Sequence, residues 1–137
     1  MISEVLEQVY KKCHIHNIWL ADTVSLEELT EEDEEATVPP IEESWQSSFV
    51  GQSFEDAFKF LATTPLEKSL NREFIIIWNQ ALYERKSWVV ICRIDENGEI
   101  TSIPCVAHMC MTFIDSGTEH RWSEYLEEWR KDGKPIF

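Results

Sequence analysis

Four histidines and four cysteines are the side chains in this 137-residue chain best suited to hold a metal or attack a carbonyl, and their spacing decides what they can do. Cys13-His14-Ile15-His16 is the densest group, and His108, Cys110 and His120 could complete a set of ligands with it. Structural zinc takes four Cys or His donors in a tetrahedron, normally from paired motifs. Cys13-x-x-His16 has no downstream C-x2-C or H-x3–5-H partner, so these residues read as an ordinary helix end and strand, and no metal is expected.

A thiol nucleophile needs a base beside it. Cys105 and Cys110 flank His108, and in a strand His108 and Cys110 would point to one face, because side chains alternate with period two. Any strand holding a His and a Cys would show the same alternation, and no glycine-rich elbow accompanies these. A carboxyl acting as general acid needs an apolar pocket that raises its pKa. Glu73, just before an apolar run, and Asp115-Ser116, just after another, are the two placed for that. Their ordinary readings are strand-end solvation and a capping turn. The four glycines stand alone at 51, 98, 117 and 133, so no loop can cradle a phosphate, and no cofactor is expected.

Charge is the stronger signal. The chain carries 26 acidic against 12 basic residues, a net −14. Residues 27–45, EELTEEDEEATVPPIEESW, contain nine carboxylates and no Lys or Arg, leaving −5 for everything else. Such a balance disfavours direct contact with nucleic-acid backbone or anionic lipid, which carry the same sign. The EF-hand pattern is absent and Glu is too dense for a calcium loop. What remains is a solvated loop or a surface aimed at a basic protein. On the second reading Glu27, Glu28, Glu31, Glu32, Asp33, Glu34, Glu35, Glu42 and Glu43 form the contact surface. Trp45 is its apolar anchor, since a Trp buries much area at little entropic cost.

These groups must be positioned by elements that the hydrophobic periodicity outlines. Ile2, Val5, Leu6 and Val9 predict an amphipathic helix over 3–13. Ser25-Leu-Glu-Glu28 has the form of a capping box, so the acidic run can start as a helix that Val38-Pro39-Pro40 ends. Ser53 caps a helix with Phe54, Ala57, Phe58 and Leu61 as its stripe, and Thr64-Pro-Leu-Glu67 opens a short one reaching Asn71. Phe74–Trp78 and Trp88–Cys92 are apolar on both faces, as central strands are, and Asp95-Glu-Asn-Gly98 makes a hairpin turn. Strands over 99–103 and 106–114 follow, separated by Pro104. A last helix over 118–131 shows Trp122, Tyr125, Leu126 and Trp129 on one side, with Asp132-Gly133 as its stop.

The expectation is one α+β domain spanning 1–137: N-terminal helices, a mostly antiparallel sheet of about four strands, a covering C-terminal helix, and an acidic insertion at about 27–44. MISEVLEQVYKK has no apolar core of a signal peptide, and the runs FIIIW and WVVIC are too short to span a bilayer. A cytoplasmic protein with reduced thiols and no membrane contact is expected. Small size and clustered acid give it the general character of toxin-immunity proteins and phage-encoded inhibitors. The function expected is therefore stoichiometric binding of a basic enzyme, such as a nuclease toxin. The alternatives are a ligand-binding domain or enzyme, with Cys110, His108 and Glu73 near a pocket, and a subunit of a larger assembly.

Overall fold

The computed structural model describes residues 2–13, 39–41, 43, 47, 49–63, 71–115 and 118–137. Among these residues the protein is a mixed α+β structure with five α-helices and a three-stranded antiparallel sheet. The helices are α1 (Ile2–Cys13), α2 (Phe54–Thr63), α3 (Gln80–Lys86), α4 (Cys110–Asp115) and α5 (Trp122–Asp132). The strands are β1 (Phe74–Ile77), β2 (Trp88–Ile94) and β3 (Ile100–Val106), in spatial order β1-β2-β3.

β2 is central, as its two-faced apolar pattern predicted. β1, expected to be central for the same reason, is an edge strand among the described residues, and its two apolar faces are covered by helices on either side of the sheet. The register of β2 sets Ile76 opposite Ile91 and Ile91 opposite Ile103, and alternation then sorts the side chains onto two faces. Phe74, Ile76, Val89, Ile91, Ile103 and Cys105 face one way, into a core completed by Val5 and Val9 of α1, Cys110 and Phe113 of α4, and Trp122 of α5. Ile75, Ile77, Val90, Cys92, Ile94 and Ile100 face the other way and pack under Phe58, Phe60 and Leu61 of α2. The sheet is thus a middle layer between helices, and the C-terminal helix shares its face with α1 and α4. Tyr125, Leu126 and Trp129 follow Trp122 into that core as partly buried neighbours, along the side that their spacing predicted.

Local chemistry starts and stops the elements. Ser53 and Asp56 cap α2 reciprocally: the Asp56 N–H donates to Ser53 Oγ at 3.1 Å and the Ser53 N–H to Asp56 Oδ2 at 3.2 Å. The Ser53 backbone N–H at its carboxylate holds Asp56 below its ordinary pKa. In the β2–β3 hairpin Asp95 Oδ1 accepts from the N–H groups of Asn97 and Glu99, and Gly98 takes φ +80°, a left-handed conformation that suits glycine. Gly133, at φ +64°, ends α5 by donating to the Trp129 carbonyl.

Three expectations are corrected. Residues 106–114 are not a fourth strand: after β3 the chain makes a 3-10 turn (Ala107–Met109) and then α4. Ala107, Cys110, Met111 and Ile114 stand at the i, i+3, i+4, i+7 spacing of a helix, and burying them against α1 and the sheet outweighs the β-propensity of the run. Pro104 does not separate two strands but lies within β3, opposite Val90. The neighbouring carbonyl of Pro104 and N–H of Val106 both bond to Ile136 on the outer edge, so the missing Pro N–H also falls on that edge, where β2 needs no donor. Finally, Phe54 is 40% exposed while Phe60 is buried, drawn in by Phe49, whose ring centroid is 5.5 Å away.

The segment between β1 and β2, where the sequence periodicity outlines no element, is α3. Asn79 caps it, its Oδ1 accepting from the Leu82 N–H at 2.9 Å, and Ser87 closes it in a left-handed conformation. Of the remaining expected helices, the acidic one from Ser25 lies outside the described residues, as do residues 64–70 of the one expected from Thr64. Pro39-Pro40, joined by a cis bond, is followed by Ile41, whose N–H donates to Ser3 Oγ at 2.8 Å.

Candidate functional site

Among the proposed contact residues, Glu43 is described and is exposed in a turn. Glu27, Glu28, Glu31, Glu32, Asp33, Glu34, Glu35, Glu42 and Trp45 lie outside the described residues. The surface downstream of them is in view. A turn closed by the Val50 and Gln52 N–H groups on the Ser47 and Phe49 carbonyls leads into α2, sends Phe49 inward and leaves Val50 70% exposed. Glu55 and Asp56 in the first turn of α2 are exposed beside Phe54. Acid and apolar side chains therefore continue past residue 45 on the first turn of α2.

The candidates for catalysis are not brought together. His108 is exposed in the 3-10 turn, whereas Cys110, the first residue of α4, is 1% exposed and packed in the core. Period-two alternation does not apply there, so the shared strand face expected for the pair does not exist. Cys105 is fully buried and its Sγ–H donates to the Val106 carbonyl at 3.4 Å. Burial pushes this thiol well above its ordinary pKa, with neighbouring Cys110 adding to the effect. Burial alone pushes Cys92, on the opposite face, up to about 12. These thiols are protonated at neutral pH and behave as small core hydrophobes. Cys92, Cys105 and Cys110 are in no disulfide.

Glu73 does not enter an apolar pocket. It precedes β1, its carbonyl accepts from the Ile94 N–H, and its Oε1 pairs with Arg93 Nε at 2.6 Å. The Arg93 guanidinium also lies 5.8 Å from the centre of the Phe74 ring. Arg93 and Glu73 are opposite charges at the sheet end, each side chain partly exposed, and their geometry is that of a structural ion pair. Asp115 ends α4 in the backbone, and His120 is exposed in the 3-10 turn Thr118–Arg121. His14 and His16 lie outside the described residues, and Cys13 is described as the last residue of α1. Among the described residues no group of three or more His, Cys, Asp or Glu could hold a metal ion.

Aromatic contacts account for several residues that spacing alone could have assigned to binding. Trp122 is buried, its ring centroid 5.7 Å from Phe74 and 6.0 Å from Phe113, and its Nε1–H donates to Thr101 Oγ1 at 2.9 Å. Trp129 meets Trp88 edge-on at 6.4 Å, and Lys86 Nζ lies 5.6 Å from the centre of the Trp88 ring. These are packing contacts that tie α5 and the end of α3 to the sheet.

The class defined so far is a small α+β protein whose catalytic side-chain types are dispersed, buried or ion-paired among the described residues. No helix there is long and apolar enough to cross a membrane. Comparison with known proteins adds no relative: no family model matches the chain, and no curated protein and no solved structure matches it significantly.

Proposed function

We propose that the protein is an acidic stoichiometric binding protein, an inhibitor or immunity protein that neutralises a basic enzyme such as a nuclease toxin. The observation that carries this reading is the 27–45 segment, nine carboxylates with no base among them, in a chain that is otherwise mildly charged. Glu27, Glu28, Glu31, Glu32, Asp33, Glu34, Glu35, Glu42 and Glu43 make the contact, Trp45 anchors it, and the segment is an insertion in a single cytoplasmic domain. A cleft that binds nucleic acid is lined with positive charge, and clustered carboxylates are complementary to it. The reading is supported by the exposure of Glu43, and by the burial or ion pairing of Cys105, Cys110 and Glu73.

The test begins with the basic protein that the purified chain retains from its host at low salt and releases at high salt. Opposite charges accelerate association by about 10–1,000-fold, and salt removes that gain. Reversing Glu31, Glu32, Glu34 and Glu35 to Lys is expected to slow association with that protein about a hundredfold at low ionic strength and to flatten its salt dependence. Unchanged binding by the fourfold variant would end the proposal.

A further inference from the structure

We draw no further inference here: the strongest candidate, the exposed apolar patch of Val50 on the turn before α2 and Phe54 at the start of α2, is small, and nothing among the described residues shows what covers it.

Discussion

Phe113 is the residue on which the placement of α4 can be tested hardest. It is 1% exposed, and its ring lies 6.2 Å from Phe74, 6.0 Å from Trp122 and 5.5 Å from Tyr125, so one side chain joins β1, α4 and α5. Replacing a buried Phe by Ala costs about 3–5 kcal/mol through lost transfer energy and the cavity left behind. Three aromatic neighbours, at about 0.5–1.5 kcal/mol per pair, place Phe113→Ala in the upper half of that range. Total stabilities run at about 5–15 kcal/mol, so this variant loses a large share of the folded state. With a urea slope of about 2 kcal/mol/M its midpoint falls by about 2 M, read by tryptophan fluorescence. Phe113→Leu keeps most of the volume and forfeits the ring contacts, and is expected to cost about 1–2 kcal/mol. Val50→Ala, at a 70% exposed position, should stay within about 0.5 kcal/mol of the parent. If Phe113→Ala moves the midpoint by less than about 0.5 M, Phe113 does not centre this cluster, and the helical reading of 110–115 fails with it.

Further outcomes follow from other sites. Cys92 and Cys105 should resist alkylation at pH 8 in the native protein and react at once in denaturant; at a pKa of about 12 only about one Cys92 thiol in ten thousand is ionised. Because folding raises both thiol pKa values above their unfolded values, the unfolded chain loses these protons first. Stability therefore falls as the pH rises from about 9 towards about 12, and a urea titration over that range should show the parent losing stability more steeply than Cys92→Ala. Glu73→Gln breaks the ion pair with Arg93 but should cost under about 1 kcal/mol in the same titration, because both side chains keep access to water. Gly98→Ala should cost about 1 kcal/mol: a Cβ there meets open space, so the left-handed backbone alone sets the penalty.

Legibility followed how local the cause was. α1, the Ser53 cap, β1, β2 and the Asp95–Gly98 turn rest on periodicity and short-range hydrogen bonds and lie where their residues predicted them. The helix expected over 118–131, in contrast, begins only at Trp122, after the 3-10 turn Thr118–Arg121. Residues 106–114 misled because Val, Ile, Thr and Phe fit a strand. The helical spacing of Ala107, Cys110, Met111 and Ile114 was equally present, and the packing of that segment against α1 and the sheet decides between the two. α3 had its signal in Asn79, an N-cap residue whose importance is hidden by the short helix it starts. The inward turn of Phe60 depends on Phe49, eleven residues away across a turn, and no stripe drawn on one helix could contain it. For the candidate site, the sequence displays charge and residue type but not burial. It therefore set His108 and Cys110 side by side, where the fold leaves the first in water and seats the second in the core.

The join between Ile136 and β3 bears on how much of the sheet edge is open to another chain. An open strand edge is a template on which other chains can add strands and start aggregates. Along β3 the Pro104 nitrogen has no hydrogen to offer, while the Pro104 carbonyl and the Val106 N–H are already taken by Ile136, which is itself fully buried. An incoming strand would find the second half of this edge occupied, with the outward groups of Ile100 and Ser102 left to engage among the described residues. One isoleucine beyond α5, together with one proline, thus closes half of the outer edge of β3 to strand addition.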